Sequence, residues 1–264
     1  MANLRRYTVN VFTDRSFAGN PAAVCVMEEW IDDALMARIA VENRLSETAF
    51  AVGGAGRYHL RWFTPGGEID LCGHATLATA AVIGRFYSPG AERLAFDTLS
   101  GELAAADAGD GLLEMDFPAY SLTPVEVTAA MTAALGARPL QAWMGRDLLC
   151  VMGSEEQVRR LTPDMDAVAD LPGLLCHVTA VTAPASDYDC VSRSFAPKLA
   201  VDEDPVCGSG HCHIAPYWAR ALGKDRLACW QASARDGELF CAVRGDRVTL
   251  AGRTVLYAEA ILHI

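Results

Sequence analysis

The sequence predicts an α+β protein of two similar domains, because one pattern occurs twice, about half a chain apart. Cys72-Gly73 and Cys207-Gly208 each follow an acidic stretch and precede a segment of helical character. Ser100-Gly101-Glu102-Leu103 and Asp236-Gly237-Glu238-Leu239 repeat at nearly the same offset. Two matches at one offset indicate two copies of one supersecondary unit. We expect a pseudo-twofold pair of domains with a site between them.

The duplication also suggests where the domains begin and end. We expect the first domain at residues 1–118, completed by a C-terminal strand at 253–264 that returns to it, and the second at 119–252. The stretch Pro118 to Val127 contains two prolines and a change of polarity, so it is the candidate linker.

Three segments have the character of helices. Asp32 is a good N-cap, and apolar residues recur at helical spacing from Leu35 until Asn43 ends the pattern. The segment Ala75 to Ile83 is apolar or small on every face, which predicts a helix buried inside a curled sheet. A second such helix should start at about Ser209 to His213, because Pro216 is best tolerated in a first turn.

Short strands surround these helices. Runs of β-forming residues bounded by Gly, Asp or Pro predict strands. The predicted strands are Thr48 to Val52, His59 to Phe63, Leu94 to Phe96, Leu112 to Phe117, Val178 to Val181, Leu239 to Val243, Arg247 to Leu250 and Val255 to Ile264.

Composition limits the class of protein. A chain of 264 residues with 52% hydrophobic residues can form a folded core, which excludes a disordered or collagen-like protein. A net charge of −11 argues against nucleic acid as the main partner. The N-terminus lacks the apolar region of a signal peptide, and the apolar stretch Leu71 to Gly84 is shorter than the ~20 residues of a membrane span. Nine cysteines without a C-x-x-C motif predict free thiols in the cytoplasm.

The two Cys-Gly sequences are candidate binding positions. A helix that starts there offers unpaired backbone N–H groups and a positive dipole end. Two such helix starts facing each other would bind a carboxylate or another anion. The alternative is that Gly73 and Gly208 only permit tight turns.

The cysteines themselves are candidate acids and bases. A thiol at a helix N-terminus has a lowered pKa, and a cofactor-free racemase needs two opposed thiols, so Cys72 and Cys207 could serve as such a pair. The alternative is that both are small buried hydrophobic residues, as free cysteines often are. Asp204 could bind a substrate or could cap the turn before the second helix.

Metals and nucleotides are not indicated. His211 and His213 are two positions apart, so on a helix they diverge and cannot share an ion. The sequence lacks a C-x-x-C or H-E-x-x-H motif, and it lacks G-x-G-x-x-G and Walker A loops. We therefore expect neither a metal nor another cofactor.

Five blocks in one order carry a family resemblance. They are Val11-Phe12-Thr13 with Phe17-Ala18-Gly19-Asn20-Pro21, Asn43 to Phe50, Arg61 to Pro65, Asp70 to Ala78, and Glu203 to Ser209. These blocks resemble the PhzF family of phenazine-biosynthesis-type isomerases. The middle, Gly101 to Leu175, shows little of the resemblance.

The resemblance implies the diaminopimelate epimerase fold, with two α/β domains, each a curled, largely antiparallel sheet around a central helix. It implies a cofactor-free isomerisation in the interdomain cleft, with Glu47 as general acid and base. Such a glutamate should be partly desolvated, which would raise its pKa towards neutrality. The implied site residues are Glu47, His74 and Asp204 as catalytic or substrate-contacting residues, with Ser46, Gly73, Ser209, Gly210, Cys72 and Cys207 as substrate-binding residues. A homodimer and a small anionic substrate are also implied.

Two alternatives stay open at this point. Founding members of the family lack thiols at the positions of Cys72 and Cys207, whereas diaminopimelate epimerases and proline racemases use two cysteines there. Those enzymes lack the Asn-x-x-Ser-Glu-Thr block that contains Glu47. The sequence therefore favours a PhzF-like isomerase over a two-cysteine amino-acid racemase or epimerase. A non-catalytic small-molecule binder that kept the fold is the third hypothesis.

Overall fold

The computed structural model describes residues 3–264, which form two compact units. The first unit runs to Asp116 and takes back the C-terminal segment from Ala251. The second unit is Phe117–Leu250. The C-terminal strand belongs to the first unit because it pairs antiparallel with the first strand of the chain.

The first unit is a sheet with two helices. Its strands are β1 (Asn3–Val11), β2 (Asn20–Met27), β3 (Glu47–Gly54), β4 (Arg57–Thr64), β5 (Gly67–Ile69), β6 (Arg93–Thr98), β7 (Gly101–Gly109), β8 (Leu112–Pro118) and the C-terminal strand β18 (Thr254–His263). Its helices are α1 (Asp33–Asn43) and α2 (Gly73–Phe86).

The second unit has the same kinds of element. Its strands are β9 (Thr123–Val125), β10 (Gln141–Met144), β11 (Leu148–Val151), β12 (Cys176–Val181), β13 (Cys190–Ala196), β14 (Val201–Asp204), β15 (Arg226–Gln231), β16 (Gly237–Arg244) and β17 (Arg247–Gly252). Its helices are α3 (Ala129–Leu135), α4 (Glu155–Arg160), α5 (Met165–Ala169) and α6 (Gly208–Leu222).

The strand pairing repeats between the units. In the first unit, β2 and β3 are parallel, β4 forms a hairpin with β5, and β4 also pairs parallel with β6. In the second unit, β11 and β12 are parallel, β13 forms a hairpin with β14, and β13 also pairs parallel with β15. Antiparallel pairs make up most of the rest. The predicted duplication is therefore confirmed at the level of topology.

Helix α1 covers the sheet of the first unit, as the sequence predicts. The Asp32 side chain accepts a hydrogen bond of 2.9 Å from the backbone N–H of Ala34, which caps the first turn. The buried side chains of Met36 and Ile39 pack with Phe50 of β3 in one apolar cluster. Burying each such side chain contributes about 1.5–3 kcal/mol, which holds the helix on the sheet.

Helix α2 is buried on almost every side, which confirms the prediction for Ala75 to Ile83. It packs against β1, β2 and β3, and small residues such as Ala78 let the strands approach it closely. Its two buried hydroxyls bond to carbonyls one turn earlier, Thr76 to Cys72 at 2.6 Å and Thr79 to Ala75 at 2.7 Å. The helix therefore leaves these buried hydroxyls satisfied.

The prediction for Pro216 is wrong. Helix α6 begins at Gly208, so Pro216 lies in its interior and not in its first turn. An interior proline lacks the N–H that would bond to the carbonyl of Cys212, four residues earlier. The backbone N–H of Tyr120 donates to that carbonyl at 3.0 Å instead. A bond from outside the helix thus offsets part of the cost of the proline.

The predicted linker is also partly wrong. Residues 123–125 of the segment Pro118 to Val127 form strand β9, which pairs antiparallel with β10. Trp143 faces Pro124 in this pairing. Pro124 is tolerated because the strand is short and has one partner in the sheet, so the missing N–H costs little. The other predicted strands fall within observed strands, except that Val255 to Ile264 extends one residue beyond the end of β18 at His263.

Gly19 tests the close packing of the first unit. Its φ is +68°, and an added Cβ would lie 2.3 Å from the carbonyl oxygen of Val11. Gly90 has a similar φ of +80° with no heavy atom near its missing Cβ. Alanine at either position costs about 1 kcal/mol of backbone strain, and Gly19→Ala should cost at least about 1 kcal/mol more through the clash. Thermal denaturation followed by circular dichroism should show the larger loss for Gly19→Ala, and equal losses would contradict this packing.

Candidate functional site

Glu47 is the first residue of strand β3 and follows shortly after the end of helix α1. Asn43 ends the helix, and Arg44 takes a left-handed conformation with φ of 52° that turns the chain. The Asn43 amide donates to the Thr48 hydroxyl at 2.9 Å and accepts from Arg6 at 2.8 Å. These contacts fix the turn on both sides, so Glu47 begins its strand in a defined position.

His74 faces Glu47 from the first turn of α2. Its Nε2 lies 3.0 Å from Oε2 of Glu47, and its Nδ1 lies 3.6 Å from Sγ of Cys72. The side chain of Glu47 is 15% exposed and that of His74 is 9% exposed. Cys72, His74 and Glu47 therefore form a nearly buried row, the Glu47 cluster, in which one imidazole separates a thiol from a carboxylate.

The expected direction of the Glu47 pKa is wrong. Burial alone would raise the pKa of Glu47, but the adjacent His74 and the Ser46 hydroxyl lower it below its usual value. Burial would likewise lower the pKa of His74, but its contacts with Cys72 and with the Glu47 carboxylate raise it well above its usual value. At neutral pH the cluster therefore rests as a Glu47 carboxylate beside a His74 imidazolium.

The contact between Glu47 and His74 is an ion pair without an aligned hydrogen bond. Oε2 of Glu47 and Nε2 of His74 are both buried from solvent, and neither has an aligned hydrogen-bond partner in the described part of the chain. A buried polar group in that condition costs free energy. Both atoms therefore keep unused hydrogen-bonding capacity inside the protein.

The thiols do not have the lowered pKa expected of cysteines at helix N-termini. Cys72 and Cys207 are the N-cap residues of α2 and α6, as the spacing predicts. Burial raises the pKa of both thiols, and nearby carboxylates, Glu47 and Asp204 respectively, raise it further. Desolvation outweighs the helix N-terminus at both positions, so both cysteines rest as thiols.

Asp204 and Cys207 lie on one clamped turn of the second unit. Oδ1 of Asp204 accepts from the Val206 N–H at 3.1 Å, which is the capping role considered for this residue. The buried Gln231 donates to the Asp204 carbonyl at 2.6 Å and accepts from the Cys207 N–H at 2.9 Å. The turn is thereby held rigidly at the start of α6. A contact of Asp204 with substrate stays a prediction.

Ser209 and Gly210 occupy the first turn of α6 beside Cys207. The Gly210 N–H donates to Sγ of Cys207 at 3.3 Å, and the Ser209 hydroxyl lies 3.4 Å from the same sulfur. The predicted site residues thus fall into two groups. Ser46, Glu47, Cys72, Gly73 and His74 lie in the first unit, and Asp204, Cys207, Ser209 and Gly210 lie in the second.

Sequence reasoning missed a second cluster of ionisable groups. Asp147, which follows β10, has a fully buried side chain with Oδ2 placed 3.2 Å from Nε2 of His177 and 3.9 Å from Nε2 of His213. Arg146 pairs with the same oxygen at 2.6 Å. We name Asp147, His177 and His213 the buried triad. No sequence motif identifies Asp147, because its partners come from a strand and a helix that are distant in sequence.

The pKa values of Asp147 and His213 in the buried triad are both lowered. Burial alone would raise the pKa of Asp147, but hydrogen bonds and charge from His177 and Arg146 hold it well below its usual value. Burial lowers the pKa of His213 to about 4, with a further contribution from the neighbouring His177. Asp147 is therefore a carboxylate and His213 a neutral imidazole at physiological pH.

Both clusters contain residue types that bind metals. In the Glu47 cluster, Cys72 and Glu47 face different nitrogens of one imidazole, so one ion cannot replace both contacts without rearrangement. In the buried triad, Nε2 of His213 already accepts the Asp147 N–H at 3.3 Å, and the carboxylate is occupied by Arg146. The prediction that neither a metal nor another cofactor is needed stays a prediction.

The prediction about thiols is confirmed in part. All nine cysteines are buried and unpaired in disulfides. Among residues 3–264, no helix has both the length and the apolar character needed to cross a membrane.

The chain is similar to a group of proteins with related names. A sequence profile of phenazine biosynthesis-like proteins matches residues 9–260. An uncharacterized isomerase of Pseudomonas aeruginosa is 47% identical over 258 residues, which cover 98% of each chain. The crystal structure of a PhzF-family phenazine biosynthesis protein from Enterococcus faecalis covers both chains completely, with a TM-score of 0.96 and 43% identity.

A more distant structure extends the likeness of fold. A hydroxyproline epimerase from Agrobacterium vitis is 11% identical, with a TM-score of 0.60 over 98% of this chain and 92% of that one. Identity at that level shows a common fold and nothing more. The predicted epimerase-like fold, a curled and mostly antiparallel sheet around a helix in each unit, is confirmed.

The pKa of His74 tests the Glu47 cluster directly. NMR titration of the His74 ring protons should give a pKa above the usual value of about 6.5, and Glu47→Gln should lower it because the neighbouring charge is removed. By linkage, the raised His74 pKa stabilises the fold below about pH 6.5, and this contribution is lost as pH rises through the folded-state pKa. The exposed variant Glu42→Gln is the control. An unchanged His74 pKa in Glu47→Gln would contradict the ion pair.

Proposed function

Because the chain belongs to the phenazine biosynthesis-like family, known as PhzF, we propose that it is a cofactor-independent isomerase that shifts a proton within a small carboxylate-bearing substrate. The observation that carries this proposal is the Glu47 cluster, in which a buried carboxylate and a buried imidazolium face each other at 3.0 Å without an aligned hydrogen bond. Buried ionisable pairs with shifted pKa values are typical of catalytic acids and bases.

The resting charges assign the first step. Glu47 rests as a carboxylate, so it acts first as a base: a substrate C–H bond breaks, the proton forms an O–H bond on Glu47, and the electron pair shifts along the substrate. Glu47 then returns the proton to a second carbon, where a new C–H bond forms and the carboxylate is restored. The substrate gains and loses one proton, which balances an isomerisation without a co-reactant.

His74 supports both steps from its fixed position. As an imidazolium it stabilises negative charge that develops on the substrate, and its proton lies within hydrogen-bond range of Glu47. Burial strengthens this interaction because little water competes. Ser46 lowers the pKa of Glu47 further, which keeps the base ionised. Gly73 provides a backbone N–H at the start of α2 for the substrate.

The remaining predicted residues would bind the substrate. Ser209 and Asp204 offer polar side chains, while Cys72, Cys207 and Gly210 shape the same helix starts. The N–H of Gly210 donates to Cys207, so it contributes to binding only if the thiol moves. Binding in a cleft between the domains, which the family resemblance implies, stays a prediction.

The two-cysteine racemase is the weaker candidate. A racemase needs one of its thiols to act as a thiolate base, and burial raises the pKa of both Cys72 and Cys207. A non-catalytic binder would keep the helix starts but would not need an ion pair at 3.0 Å. The proposal also includes a homodimer in the cytoplasm. The nine unpaired thiols support a reducing compartment, and light scattering after size-exclusion chromatography tests the dimer.

Deuterium exchange tests the assignment of Glu47. The wild type is incubated in D₂O with a panel of carboxylates that includes dihydro-hydroxyanthranilate and common amino acids, and exchange is followed by NMR. Glu47→Gln should lower the exchange rate by about 10²–10⁴-fold, as expected for loss of a general base. Cys72→Ser and Cys207→Ser should keep most of the activity.

Glu42→Gln serves as the matched control, since it also replaces a glutamate by glutamine, but at an exposed position on helix α1. Circular dichroism confirms that each variant is folded. Full exchange in Glu47→Gln would overturn the proposed mechanism. Loss of exchange only in the two cysteine variants would assign the protein to the racemases.

A further inference from the structure

Arg146 lies beside the predicted substrate-binding residue Ser209, and we propose that its guanidinium binds the carboxylate of the substrate. The proposal deepens the function proposed above, on which it rests for the existence of a carboxylate-bearing substrate. Nη2 of Arg146 donates to Oγ of Ser209 at 3.2 Å, at the start of α6. No sequence motif identifies Arg146, since it lies in the part of the chain with least family resemblance.

Only one edge of the guanidinium is occupied by Asp147. Nε of Arg146 donates to both carboxylate oxygens, at 3.2 and 3.1 Å, and Nη2 donates to Oδ2 at 2.6 Å. In the described residues, no hydrogen bond to Nη1 is found. The Arg146 side chain is 34% exposed, whereas Asp147 is fully buried. Nη2 uses its two hydrogens on Asp147 and Ser209, so Nη1 is the group that remains available for a charge-assisted hydrogen bond to a carboxylate.

The negative charge of Asp147 is shared among several donors. Besides Arg146, it accepts the backbone N–H of Leu175 at 3.2 Å and faces Nε2 of His177 at 3.2 Å. Arg146 is not its sole partner, so the guanidinium does more than neutralise one buried carboxylate. The guanidinium of Arg146 also lies over the Tyr120 ring, with Cζ 5.1 Å from the ring centroid. This contact helps to hold the orientation of the guanidinium plane.

His213 of the buried triad holds the Ser209 carbonyl, and Arg146 holds the Ser209 hydroxyl. Nδ1 of His213 lies 3.1 Å from the Ser209 carbonyl, which can only accept, so Nδ1 carries the hydrogen. Nε2 of His213 then accepts the N–H of Asp147 at 3.3 Å. Since Arg146 can only donate, Oγ of Ser209 is the acceptor in that contact. The Ser209 hydroxyl hydrogen is thereby left to point to Cys207 or to a ligand.

Glycines make this arrangement close and rigid. A Cβ on Gly210 would lie 2.8 Å from Cε1 of His177, and one on Gly145 would lie 2.9 Å from Cδ2 of His213. Both distances are too short for a real side chain, so both positions need glycine for this packing. The two histidines are thus packed directly against backbone. A rigid support of this kind is what an arginine needs to bind a ligand without a large loss of conformational entropy.

The ligand class follows from the groups at this position. The Nη1 group of Arg146 and the Ser209 hydroxyl can each donate to one oxygen of a carboxylate, and a neutral amide of the same shape would gain much less. Benzoate and benzamide make a matched pair of probes because they differ mainly in charge. Binding is measured by NMR titration of the backbone amides, with Ser209 and Gly210 as reporters.

Benzoate should shift the Ser209 and Gly210 amide signals of the wild type in the millimolar range, and benzamide should not. Arg146→Gln should weaken benzoate binding by about tenfold or more, as loss of charge-assisted hydrogen bonds implies. Arg146→Lys keeps a cation beside Asp147. It is therefore the variant to measure if Arg146→Gln does not fold. It should still weaken binding, since one ammonium cannot hold Asp147 and the ligand together. Arg138→Gln is the control for an exposed arginine.

The proposal is overturned if wild type and Arg146 variants bind benzoate equally, if benzoate shifts no amide at the start of α6, or if benzamide binds as well as benzoate. The titrations do not depend on turnover, and Glu42→Gln, which removes an exposed carboxylate, should leave binding unchanged. Loss of exchange chemistry without loss of Arg146-dependent binding, or the reverse, therefore separates a failure of this inference from a failure of the proposed isomerase.

Discussion

Burial of one helix on nearly all sides is the constraint on which each unit of this protein depends. Helix α2 packs against several strands of its sheet, and its small residues allow that close approach. Whatever lies in its first turn is therefore desolvated. His74 occupies that turn, and it keeps its proton because the Glu47 carboxylate, at the start of β3, lies 3.0 Å away. The packing of the fold thus creates both the penalty for charge and the partner that offsets it.

In the second unit, the histidine near the corresponding helix start has a lowered pKa, whereas the pKa of His74 in the first unit is raised. Helix α6 also begins at a Cys-Gly sequence, but its His213 faces Asp147, a carboxylate that is already held by Arg146. His213 loses its proton, with a pKa of about 4, while His74 retains its own. Glu47 and His74 form an ion pair in the first unit, and Arg146 presents a cationic side chain in the second. The two units share a topology, and different side chains around their helix starts give the histidines different protonation states.

Several corrections share one physical cause, which is the balance of burial against specific partners. The thiols of Cys72 and Cys207 have raised pKa values because desolvation outweighs the helix N-terminus. The pKa of Glu47 is lowered because the effect of His74 outweighs the effect of desolvation. Pro216 is accepted inside α6 because Tyr120 donates to the carbonyl it leaves free. Each outcome depends on a neighbour distant in sequence, so local propensity alone could not decide it.

The sequence by itself determined the duplicated topology, the two buried helices, and the positions of Glu47, Cys72, His74 and Ser209, since periodicity, Cys-Gly spacing and family motifs are local properties of the chain. Only the tertiary structure decided the charge states of the Glu47 cluster and the existence of the buried triad. Asp147, His177 and His213 come from a turn, a strand and a helix, and no spacing rule relates them. Their contacts arise when the sheet closes around α6, because burial forces polar groups that are far apart in sequence to satisfy one another.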